Sequence, residues 1–156
     1  MPKTSCNETS KVLKTKLIFI LSIISLFSWG QNYTSYYTGN ANIVTNPSGG
    51  VCLMGGASED DNAMKWFLQR ANGGDVLVLR TSGSNGYNSY LYSELGIPVN
   101  SVETIVCNNV LASNEPYIIQ KIQEAEAIWF AGGDQWTYIS YWRNSPIDNA
   151  INQAIQ

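Results

Sequence analysis

The chain predicts an α/β fold, a three-layer sandwich in which helices cover both faces of a mostly parallel open sheet. Three observations carry that expectation. Apolar runs of strand length recur at residues 51–54 (VCLM), 75–80 (DVLVLR), 101–107 (SVETIVC) and 127–131 (AIWFA). Helix-period segments lie between them, the alternation typical of βαβ units. The runs are continuously apolar where half-exposed strands would alternate, as expected of strands buried on both faces of a parallel sheet.

Residues 1–30 read as an address segment. Lys11, Lys14 and Lys16 precede an apolar run at 17–27, and Ser28 and Gly30 are small residues suited to cleavage after Gly30. The run falls short of the ~20 apolar residues of a spanning helix. A secretory signal peptide is therefore expected, with a secreted or periplasmic location and no stable membrane span. A retained anchor and a buried strand are the competing readings, and the leader ahead of Lys11, with Glu8 in it, is long for such a signal. Residues 31–49 are polar and aromatic without clear periodicity, and are expected to cross the surface as an extended N-terminal arm. The triplet Asn32, Tyr33, Thr34 matches a glycosylation acceptor but is too short to carry weight.

The α/β domain itself is expected over residues 50–156. Its first strand, 51–54, closes at Gly55 and Gly56. Ser58 stands three residues before Asp61, a capping-box arrangement, and Met64, Phe67, Leu68 and Ala71 follow at helical spacing until Gly73 and Gly74 stop the helix. After the second strand, residues 81–88 (TSGSNGYN) open a short helix ending at Leu95 and Gly96. After the third, Ser113 or Asn114, with Pro116 in the first turn, starts a helix that runs to about Glu124. After the fourth, Gly132 and Gly133 turn the chain into a helix beginning near Asp134 or Gln135. Ser145, Pro146 and Asp148 then start a last helix whose apolar face is Ile147, Ala150, Ile151, Ala154 and Ile155.

Composition narrows the chemistry. At 156 residues, with 44% hydrophobic and 13% charged, the chain is long enough for one domain with a packed core. Its net charge is −3 and its nine basic residues nowhere cluster, so the footprint of a nucleic-acid binder is missing. Histidine is absent, which removes the commonest general base and the commonest zinc ligand. Cys6 would leave with the signal. Cys52 and Cys107 lie in or at the end of apolar runs without Cys-x-x-Cys spacing, and read as buried small hydrophobes in preference to a bridged or reactive pair. No metal or other cofactor is expected.

Ligands of open parallel sheets bind beyond the carboxyl ends of the strands. Three loops are expected there: 55–61 (GGASEDD), 81–88 and 131–135 (AGGDQ). In the first, Glu59, Asp60 and Asp61 would repel a pyrophosphate, and the glycines miss the dinucleotide spacing, so the acids read as helix caps. In the second, Ser82 and Ser84 have no histidine to activate them, and turn formation is the simpler account. The third is the most informative. Gly132 and Gly133 let the backbone turn with free N–H groups, and the helix that follows adds its positive end, donors suited to a developing oxyanion. Asp134 as an ordinary N-cap is the competing account.

Several blocks in order then carry a resemblance: LMGGASEDDNAMKWFLQRANGGDVLVLR, SGSNGYNSYLYSELG, SVETI and AEAIWFAGGDQWTYISYW. From about Tyr37 onward the chain resembles the N-terminal half of the cyanophycinase-like serine peptidases, relatives of aspartyl dipeptidase within the class I glutamine-amidotransferase-like fold. The resemblance implies cleavage of peptide bonds after aspartyl groups, with release of β-aspartyl-arginine dipeptides from cyanophycin as one example. It also implies that Gly132, Gly133 and Asp134 lie beside the nucleophilic serine as oxyanion donors, and that Gln135 lines the site and orients substrate.

One departure matters. The family's serine sits on an elbow of G-x-S-x-G type after the next strand, and no such motif is present. Nucleophile, elbow and base are all missing, and the last helical pattern runs to Gln156 without a stop signal. The chain is therefore expected to be the N-terminal portion of a secreted hydrolase of aspartyl (β-Asp-Arg type) peptide bonds, truncated before the nucleophile strand and inactive alone. The alternative is a non-catalytic α/β binding or interaction module.

Overall fold

The computed structural model describes residues 30–40, 42–56 and 58–156. The signal reading of the N-terminal segment and Cys6 lie outside the described residues. Gln31–Gln156 form one compact unit.

The fold is α/β, built on a four-stranded, open, mostly parallel sheet in the order β1-β3-β2-β4. The strands are β1 (Tyr33–Gly39), β2 (Asp75–Arg80), β3 (Ser101–Cys107) and β4 (Ala127–Phe130). β2 runs parallel to both β3 and β4, while β1 joins β3 antiparallel, from Tyr33 opposite Cys107 to Gly39 opposite Ser101. The helices are α1 (Asp61–Arg70), α2 (Gly86–Ser89) continued by the π turn Tyr90–Glu94, α3 (Pro116–Glu124), α4 (Gln135–Trp142) and α5 (Pro146–Ala154), with a 3-10 turn over Val110–Asn114 before α3.

The apolar runs divide between two layers. Val76, Val78 and Val102 point to one face, where Met64 and Leu68 of α1 and Leu91 of the π turn cover them. Leu77, Leu79 and Ile105 point to the other, under Ile118 and Ile122 of α3, Trp142 of α4 and Ile147 of α5. Successive residues of β2 thus serve opposite cores, which is why its sequence does not alternate. Each large aliphatic side chain removed from water in these layers contributes about 1.5–3 kcal/mol.

Two expectations need correction. Residues 51–54 form no strand. β3 and β4 occupy both edges of β2, and the run adds no strand to the sheet. Met54 packs on the α1 side of the core, while Val51 and Leu53 are 68% and 90% exposed. The arm, in contrast, is part of the sheet over Tyr33–Gly39, where tyrosines and threonines suit a half-buried edge. Its anchors are polar. Asn88, buried beside β3, donates through Nδ2 to Tyr36 O and to Thr38 Oγ1, each at 3.0 Å. Glu103 of β3, only 3% exposed, accepts from Ser35 Oγ and from Tyr117 Oη at 2.6 Å, and its Oε2 lies 3.8 Å from Lys121 Nζ.

Smaller features follow the same logic. Asp60, not Ser58, caps α1 by accepting from Ala63 N at 2.9 Å. Asp75 accepts from Ile43 N at 3.0 Å and from Asn100 Nδ2 and Ser101 Oγ at 2.6 Å each, fastening the chain after β1 to the start of β2. Asn32 gives its side-chain amide to Glu115 Oε1 at 2.7 Å, so the amide of the glycosylation-type triplet is already engaged. Cys52 and Cys107 are free thiols; Cys107 is buried, and that burial pushes its thiol up to about 11. Among the described residues, no helix is long and apolar enough to cross a membrane.

Candidate functional site

At the carboxyl edge of the parallel strands, Leu79 of β2 stands opposite Phe130 of β4, and Ala131 N donates to Leu79 O at 3.1 Å. The loops that continue these strands therefore start side by side. Tyr138 of α4 joins them. Its hydroxyl donates to Ala131 O at 2.7 Å, and the Thr81 backbone N–H lies toward the phenol oxygen and favours its ionised form. Burial pushes the Tyr138 phenol upward, and the charge of Arg80 pulls it back.

The third loop of the group, ahead of α1, reaches the same edge through its acids. Tyr87 donates its hydroxyl to Glu59, and Tyr90 donates to Asp61 Oδ1 at 2.8 Å. Burial first, and the Glu59 bond second, raise the Tyr87 phenol. The tyrosines of α2 and its π turn thus hold the acidic loop against the loop after β2. All three loops expected at this edge are gathered there.

The predicted site residues occupy the turn between β4 and α4. Gly132, Gly133, Asp134 and Gln135 are all exposed. Asp134 is the N-cap of α4, accepting from Trp136 N at 3.2 Å and Thr137 N at 3.3 Å, with Thr137 Oγ1 donating at 2.7 Å. The Thr137 hydroxyl, then the Trp136 N–H, hold its carboxyl below the ordinary carboxylate range. The helix N-terminus is thus partly filled from within the chain. Among the described residues, nothing accepts from the N–H groups of Gly132, Gly133 and Gln135.

The two glycines differ in what they require. A Cβ on Gly133 would press on the Tyr138 ring at 3.2 Å, whereas one on Gly132 meets nothing within 4 Å, and neither residue has a positive φ. Folding alone therefore does not demand glycine at 132.

Ser82 and Ser84 are exposed and act through their carbonyls, not their hydroxyls. Ser82 O accepts from Arg80 Nε and Ser84 O from Arg80 Nη1, the latter at 2.8 Å. Gly83, at φ +91°, lies against the guanidinium, and a Cβ there would collide with Nη2. Sequence reasoning passed over Arg80, Tyr87 and Tyr138. The one available signal was a lone cation ending an otherwise apolar strand core, directly before a Ser-Gly-Ser turn.

Among the described residues, no group of three or more His, Cys, Asp or Glu is placed to hold a metal ion. Fold and edge together define an open α/β domain whose polar loops converge beyond the carboxyl ends of β2 and β4. Compared with protein-family models the chain matches none, and no curated protein matches it.

Proposed function

We propose that this edge is the substrate-binding and oxyanion side of a cyanophycinase-like serine hydrolase site for aspartyl peptides, secreted or periplasmic, within a glutamine-amidotransferase-like fold. The observation that carries the reading is the turn at Gly132 to Gln135, whose three uncommitted N–H groups stand beside two other loops at a strand edge. Such donors suit a peptide carbonyl and the oxyanion formed from it. With no histidine in the chain, its own serines lack the base that would make them nucleophiles. The residues here bind and orient; the attacking group comes from outside them.

The purified chain is expected to retain an aspartate–arginine polymer without releasing β-aspartyl-arginine. Release of that dipeptide by the chain alone would show that the attacking group lies within it. A second reading, a non-catalytic α/β binding module, draws support from Asp134, whose carboxylate already occupies two donors of α4. Addition of a separate polypeptide carrying the G-x-S-x-G strand and its base distinguishes the two: hydrolysis appears under the first reading and not under the second.

A further inference from the structure

We infer that Arg80 is the anion-recognition residue of this edge, and that the group it takes is a carboxylate borne by a peptide ligand. This rests on reading the edge as a peptide site. Arg80 is half-buried as a residue and its guanidinium is held in place: loop carbonyls take Nε and one N–H of Nη1, and the Tyr87 ring lies 6.0 Å away. A guanidinium has five N–H donors, so roughly three remain for a ligand.

Among the described residues, no acid pairs with them. The ion pairs among the described residues both belong to Lys121. Nearby Glu59 is engaged by Tyr87, and Asp134 by its own helix. An oriented cation with no ion pair of its own among the described residues is a site for an anion.

Its position suits the turn. Arg80 follows Leu79 as Ala131 follows Phe130, so its backbone stands beside the residues that lead into Gly132 and Gly133, and its charge reaches Tyr138 of α4. The loop is shaped to it: Gly83 combines a left-handed φ with the only side chain, a hydrogen, that leaves room for Nη2. The planar fork matches a carboxylate through two parallel bonds. Glu59, Asp60 and Asp61 border the same edge and disfavour a more highly charged phosphate.

The test uses the full chain, titrated by NMR with N-acetyl-aspartate amide, its asparagine counterpart and inorganic phosphate. The aspartate amide is expected to shift Arg80 Nε–H and the amides of Gly132 and Gly133. Arg80→Gln should weaken that binding at least about tenfold, as loss of a bidentate charged contact implies. Arg80→Lys should fall between, because it keeps the charge without the fork. Gly83→Ala should weaken binding by displacing the guanidinium with its charge retained, and it carries the test if Arg80→Gln fails to fold. Equal binding by Arg80→Gln, equal binding of the asparagine compound, preference for phosphate, or no binding of the aspartate amide overturns the inference. Because binding is read without hydrolysis, failure of the chain to support peptide cleavage leaves this result standing.

Discussion

The buried carboxylate of Glu103 is the peg that fastens β1 and α3 to the middle of β3, and its strength can be worked from its contacts. Tyr117 Oη donates to it at 2.6 Å and Ser35 Oγ donates from β1, while Lys121 stays near both Glu103 and Glu124. A hydrogen bond to a charged group contributes about 1.5–3 kcal/mol. Tyr117 is 38% exposed, which places its bond at the lower end. Glu103→Ala strands two hydroxyl donors, but Lys121 keeps Glu124 and the desolvation cost of the carboxylate is recovered, so a net loss of about 3 kcal/mol is expected. Tyr117→Phe should cost about 1.5 kcal/mol. Because both changes remove the same bond, the double variant should be less destabilised than the sum by about 1.5 kcal/mol. Urea unfolding followed by tryptophan fluorescence measures all four corners of the cycle. A coupling within about 0.5 kcal/mol of zero would refute the assignment of Tyr117 and Glu103 as energetic partners.

Burial and carboxylate neighbours raise the phenols of Tyr87, Tyr90 and Tyr117 above their ordinary 10.0, with burial the leading cause in each. Their protonated forms therefore support the fold fully below that value. Urea midpoints should fall as pH climbs from about 9 to about 11, and a flat profile would contradict the buried phenols. Asp134 carries the opposite sign: its folded carboxyl is held low, so its contribution is present above the ordinary 3.8 and fades as pH falls. The stability gap between the native chain and Asp134→Ala should accordingly narrow in acid. Gly83→Ala should cost more than about 1 kcal/mol, because the residue is left-handed and touches Arg80. Gly132→Ala should change stability by less than about 0.5 kcal/mol; a large loss there would mean that the fold, not a ligand, requires the glycine.

Much of the fold was legible in the sequence because its signals were local and strong. β2, β3 and β4 are apolar runs of strand length, and Pro116, Asp134 and Ser145 mark the starts of α3, α4 and α5. Errors arose where pairing depends on distant residues. The run at 51–54 has strand composition, but composition does not supply a pairing partner, and Val51 and Leu53 stay exposed. Tyr33–Gly39 lacks a clear period, yet it pairs with β3 because Glu103 and Asn88 supply polar anchors from far along the chain. The candidate site was legible at Gly132 to Gln135, since glycine and cap residues act locally. Arg80 was not, because its meaning depends on how the following loop wraps around it.

The distance between β1 and its anchor has a kinetic side. Ser35 and Glu103 are separated by 68 positions, so β1 leaves the ribosome long before the strand it pairs with. At synthesis rates of about 5–20 residues per second, that interval is roughly 3 to 14 s. Until β3 emerges, the tyrosines of β1 have no sheet to join, and the antiparallel edge closes only after β3 has appeared. The first of the described strands is thus placed only after residues far along the chain have been made.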